Sequence, residues 1–200
     1  SFPTRRSSDL PGTLAVTGDA DADALINSDP LALLIGMLLD QQVPMEWAFR
    51  GPATLLERLG SLDAVAIAEM EPDLLDIECR TKPAVHRYPS SMAKRIQALC
   101  QHIVDNYDGD ASLLWGSATS GADLKQRLVS LPGYGDEKAM IFTAILAKRM
   151  GVAPAGWQDA AGPFSDNTPR SVADIDGPEA LATVREWKKA QKAVGKSKQQ

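Results

Sequence analysis

The stretch LPGYGDEKA, Leu131 to Ala139, concentrates residue types that can hold an anion. Gly133 and Gly135 tolerate positive φ, so the chain can bare backbone N–H groups there, immediately before an amphipathic run, EKAMIFTAILAKRM. A helix N-terminus carries a partial positive charge, and bared amides beside one suit a phosphate oxygen. Lys138 adds a cation. Asp136 and Glu137 oppose that reading, because two carboxylates at the same end repel phosphate unless they point away. A plainer reading fits the same residues: Pro132 stops the preceding helix, the glycines turn the chain, and Asp136 caps the next helix in an ordinary hairpin.

Other chemistry is thinly supplied. Basic residues gather in HRYPSSMAKR, with His86, Arg87, Lys94 and Arg95, and in REWKKAQKAVGKSK, which leads into a basic tail at 193–200. The net charge is −5, so a nucleic-acid partner needs a local basic face. That charge includes SFPTRRSSDL, residues 1–10, which looks like a translated sequencing adapter and is expected to be a disordered, non-native leader. It has no apolar middle, so it does not read as a secretory signal. Cys79 and Cys100 are the only cysteines, too few for a disulfide framework, a zinc ribbon or a four-cysteine cluster, and they suit a reducing cytoplasm. His86 and His102 lack nearby ligand partners, so no metal site is expected. LALLIGMLL ends at Asp40, short of the roughly 18 apolar residues of a membrane span, and no membrane association is expected.

The elements that must position these groups are helical. Apart from an extended TLAVTG, apolar residues recur at helical spacing nearly throughout, predicting helices near 21–28, 30–40, 45–59, 62–68, 71–77, 91–107, 111–116, 121–130, 136–150 and 178–192. Ser90 suits the cap of the sixth, whose stripe of Ile96, Leu99, Cys100, Ile103 and Val104 faces one way and leaves Lys94 and Arg95 outward. The stretch from Gly151 to Gly177 reads as a long irregular loop bordering a cleft.

Three pieces occur in a telling order: LLIGMLLDQQVPMEWAF, SSMAKRIQALCQHIVDNY and LPGYGDEKAMIF. Together they resemble the helix-hairpin-helix base-excision DNA glycosylase superfamily, over roughly residues 14–192 with the hairpin at 121–150. The resemblance implies an all-α, two-lobed fold with a central cleft, acting as a monomer on double-stranded DNA that contains a damaged base. Its hairpin grips the backbone through Gly133, Tyr134, Gly135 and Lys138, with Lys94 and Arg95 as further DNA contacts. Because a base cannot be reached inside a duplex, the nucleotide must be flipped out, at a cost of a few kcal/mol. A polar side chain then fills the gap, and by position this is Gln41 or Gln42.

On catalysis the match thins. Lyase-competent relatives carry a Schiff-base lysine where this chain has Glu137, and Lys138, one residue on, is rotated by about 100°. No covalent imine with DNA is therefore expected. The aspartate that stabilises the cationic sugar in the family aligns near Ala155 to Trp157, where no acid stands. Asp159 is the nearest candidate, with Glu137 a second; Asp166 and Asp174 follow. Trp47, Phe49, Tyr134 and Trp157 are candidates to stack on an extruded base, with core packing the competing and favoured role for each but Trp157; Trp47 and above all Trp157 are placed in a base pocket. The cysteine count places the chain with cluster-free relatives, without a cofactor. A catalytically inactive DNA-binding module of the same fold is the alternative.

Overall fold

The computed structural model describes residues 12–200, and the expected leader at 1–10 lies outside the described residues. Every regular element among them is helical: α1 Ala20–Ser28, α2 Pro30–Leu39, α3 Met45–Leu59, α4 Ala64–Glu69, α5 Pro72–Arg80, α6 Pro89–Tyr107, α7 Leu113–Gly116, α8 Gly121–Val129, α9 Asp136–Arg149, α10 Trp157–Ala161 and α11 Pro178–Ala193. None is by itself long and apolar enough to cross a membrane.

α2 organises the molecule. Leu31 to Leu39 are all buried, so this helix presents no polar face and must be covered on every side. Asp29 caps its start by accepting from Leu31 N and Ala32 N at 2.9 and 3.1 Å. α1, α3 and α6 cover it from one side, with α4 and α5 packed on α6. α7 to α11 form a second group, in which α8 and α9 pair as the hairpin and α10 packs across both. The lobes meet along α2, where the hairpin docks, and at α3, whose Glu46 pairs with Arg185 of α11.

Three local expectations are corrected. α6 is capped at Tyr88, without a side-chain bond, and not at Ser90: Pro89 takes the first helical position, where its missing N–H costs nothing. α9 is likewise capped by Gly135, leaving Asp136 inside the first turn. The stretch after Gly151 is not a structureless loop. It holds α10 and two 3-10 turns, Gly162–Ser165 and Val172–Asp174, and buries Phe164, Val172, Ala173 and Ile175. Its apolar anchors are too irregularly spaced to show a helical period, yet they suffice to pin it on α9.

Candidate functional site

The turn between α8 and α9 is anchored from beneath and open above. Tyr134 is buried, and its hydroxyl donates to the Leu34 carbonyl of α2 at 2.6 Å. Lys138 Nζ reaches the Met37 and Leu38 carbonyls at 2.7 and 3.0 Å, closing the last turn of α2. Gly133 takes φ +81°, and a Cβ there would stand 2.4 Å from Leu38 Cδ1, so the backbone touches α2 directly. Gly135 is different: it is exposed, and an added Cβ would meet nothing within 4 Å. Among the described residues, the Gly133 and Gly135 amides and those opening α9 have no acceptor. The two carboxylates that would repel an anion are drawn aside, Asp136 by Lys125 at 2.9 Å and Glu137 by Lys198 at 3.2 Å.

Tyr134 and Lys138 thus differ from their expected outward roles. The Tyr134 side chain belongs to the core, against Phe142 at 6.1 Å, and burial holds its phenol well above the ordinary pKa. Lys138 points at carbonyls of the neighbouring lobe, and burial lowers its pKa to about 8 against the opposing pull of Asp40.

The α2–α3 connection, Asp40 to Pro44, lies beside that turn. Gln41 is clamped three ways: Nε2 donates to the Leu38 carbonyl at 2.8 Å, Oε1 accepts from Arg95 at 2.8 Å, and its carbonyl meets His86 Nε2 at 2.8 Å. Tyr88 N donates to His86 Nδ1, which makes Nε2 the protonated nitrogen of a neutral ring, and burial keeps that ring's pKa low. Gln42 is exposed and held at φ +56°, a left-handed conformation rare outside glycine. Of the two glutamines, Gln41 holds the turn and Gln42 is presented by it.

Asp40 was not singled out from sequence. Its carboxylate has no hydrogen-bond or ion-pair partner among the described residues, although Lys188, Lys138 and Lys198 face it from α11, α9 and the C-terminal segment. Burial raises its pKa more than those cations lower it. His86 was set aside as a metal ligand, and nothing in the chain signals its bond to a carbonyl 45 positions away.

The remaining candidates divide. Lys94 and Arg95 are exposed on the first turns of α6, Arg95 tied to Gln41. Trp47 is 38% exposed, donates Nε1 to the Ala84 carbonyl and stacks on His86 at 6.4 Å, so it borders the glutamine turn. Phe49 is fully buried and unavailable to a base. Trp157 and Asp159 stand on α10, which packs over α8. Gly121, the first residue of α8, packs on the Gly156–Trp157 backbone, whereas the anion-ready turn follows the helix's last residue, roughly 12 Å along it. Asp159 is exposed in an open groove along α8 that runs from Ser120 past Lys125 to Val129, and Lys125 in turn pairs with Asp136 at the hairpin turn. Asp174 is bound by Lys148 at 2.7 Å and by two backbone amides, and Asp166 pairs with Arg170.

A separate hollow, lined by Asn27, Leu33, Trp115 and Met150, sits at the N-terminal end of α2, away from Asp40. Cys79 and Cys100 are buried thiols pushed up to about 12. No group of three or more His, Cys, Asp or Glu among the described residues is placed to hold a metal ion.

The arrangement, amides bared at a glycine turn beside a presented glutamine and an arginine-bearing helix, can hold a sugar–phosphate backbone and intrude beside it. No curated protein matches the chain. Residues 35–194 match the family model of the HhH-GPD superfamily base excision DNA repair protein, and the chain belongs to that family.

Proposed function

We propose that this base-excision DNA repair protein is a monofunctional DNA glycosylase, which hydrolyses the N-glycosidic bond of a flipped, damaged base in double-stranded DNA. One observation carries the reading: the unsatisfied amides of the hairpin turn and the strained, exposed Gln42 are both locked to α2, the hairpin through Tyr134 at its middle and Lys138 at its last turn, the glutamine through Gln41 at that same last turn. A phosphate held at Gly133 to Gly135 is thereby a fixed distance from the side chain that enters the gap. Such a frame offsets the cost of flipping with backbone contacts made only when the wedge is in place. Lys94, Arg95 and Trp47 extend the contact along the strand.

Hydrolysis without lyase chemistry follows from Glu137, which stands at the imine-forming position of lyase-competent relatives, and from Lys138, whose amine is committed to two carbonyls. The reading invokes no cofactor, takes the monomer as the acting species and places it on the nucleoid in the cytoplasm. A second reading, an inactive DNA-binding module, draws on Asp159, which is exposed on the α8–α10 flank.

The test is incubation with duplexes carrying alkylated purines, uracil, hypoxanthine or oxidised guanine, followed by alkali. Strand cleavage only after alkali, and no cross-link on borohydride treatment, are expected. Cleavage without alkali, or a borohydride cross-link lost in Lys138→Ala, defeats the monofunctional assignment. Salt-dependent duplex retention with no base release from any lesion favours the inactive module. Asp159→Asn is assayed alongside, because the resemblance singles that carboxylate out.

A further inference from the structure

Asp40 occupies a costly position for a carboxylate. It follows the last residue of α2, at the negative end of the helix dipole, where an anion is disfavoured, and burial adds to that cost. No hydrogen bond or ion pair among the described residues offsets it, and only the fields of Lys188, Lys138 and Lys198 act the other way. The cations facing it are engaged elsewhere: Lys138 with the Met37 and Leu38 carbonyls, Lys188 with Met45 Sδ at 3.2 Å, and Lys198 with Glu137. They favour its charge without quenching its oxygens.

Its surroundings are rigid. Lys138 and Gln41 both close on the Leu38 carbonyl, Arg95 and His86 hold Gln41, and Gly133 presses on Leu38. One residue separates Asp40 from the presented Gln42. A half-buried carboxylate whose pKa is raised, whose oxygens have no hydrogen-bond or ion-pair partner among the described residues, and which stands two residues from the presented Gln42 has the character of a reacting group.

We infer that Asp40 is the carboxylate that faces the sugar of the flipped nucleotide and stabilises its developing positive charge, the role for which the resemblance offered Asp159 and Glu137. This rests on the glycosylase reading. The C1′–N bond breaks with its electron pair leaving on the base, and ionised Asp40 offsets the charge left on the sugar. A water oxygen then forms the C1′–O bond, leaving a sugar hydroxyl, and one of its protons passes to Asp40; from there it goes to the base anion when the lesion was neutral, and to solvent when a cationic alkylated purine has already left as a neutral base.

The probe is a duplex with a pyrrolidine abasic analogue, whose ring nitrogen is cationic, compared with a neutral tetrahydrofuran analogue. The wild type is expected to bind the cationic ring about tenfold tighter or more, and Asp40→Asn to lose that preference while retaining tetrahydrofuran affinity. Asp159→Asn keeps the preference. Asp40→Ser, smaller than the native side chain, serves as a second variant if the asparagine disturbs folding. A preference that survives both Asp40 substitutions, or its absence from the wild type, overturns the inference. Base release with an Asp40-independent preference overturns Asp40 alone, whereas an Asp40-dependent preference without base release from any lesion counts against the hydrolytic reading alone.

Discussion

Gln42 pays for its presentation in backbone strain. A non-glycine residue at φ +56° loses on the order of 1 kcal/mol relative to glycine, and the exposed side chain recovers none of it through contacts. Gln42→Gly is therefore expected to raise the free energy of unfolding by about 1 kcal/mol and simultaneously weaken binding to a lesion-containing duplex. Urea denaturation and fluorescence anisotropy on the same preparation read both effects. A variant that is more stable yet binds as well as the wild type would remove Gln42 from the interface. The neighbouring Gln41 does not have a positive φ and carries no such strain.

At the scale of the element, the hairpin separates two glycines that look equivalent in sequence. Gly133 is structural: positive φ and a 2.4 Å approach of any Cβ to Leu38 Cδ1 mean that Gly133→Ala strains the backbone and displaces a core side chain, at about 1–3 kcal/mol. Gly135 has φ −92° and open space where a Cβ would project, so Gly135→Ala should fold with an unchanged urea midpoint. That methyl group would occupy the volume a phosphate must enter, and duplex affinity should fall about tenfold, equivalent to about 1.4 kcal/mol. Unchanged affinity in Gly135→Ala would move the backbone contact away from this turn. The hairpin itself was legible from Pro132, the tandem glycines and the two amphipathic runs. Which amides it leaves bare was not, since that depends on Tyr134 and Lys138 reaching α2, about a hundred positions away in the chain.

For the molecule as a whole, Lys138 is a stitch between lobes with a pH signature. Its pKa is about 8 in the folded protein against an ordinary 10.5. Below pH 8 both folded and unfolded chains hold the proton, and the fold bears the cost of burying the charge. Between pH 8 and 10.5 the unfolded chain binds the proton more strongly, so rising pH relieves that cost and stability increases through this window. The buried thiols act oppositely above pH 9, because they ionise more readily when unfolded. Comparing urea midpoints of the wild type and Lys138→Met at pH 7 and 9.5 cancels the thiols, and the wild type should gain on the variant at the higher pH. A constant difference would mean that the amine is not buried as described.

The sequence by itself determined the helical class, most of the helix positions and the family, because these rest on local periodicity, turn residues and the order of three contiguous motifs. It also singled out the glycine turn, the paired glutamines and the α6 basic pair as candidate DNA contacts. Only the tertiary structure gave Gln41 and Gln42 different surroundings, turned the Tyr134 and Lys138 side chains inward, placed Trp157 and Asp159 on α10 over α8, and left Asp40 without a hydrogen-bond or ion-pair partner among the described residues. Each of those outcomes depends on a group supplied by a distant segment, and spacing along a chain carries no record of which carbonyl a lysine will reach once two lobes close on a shared helix.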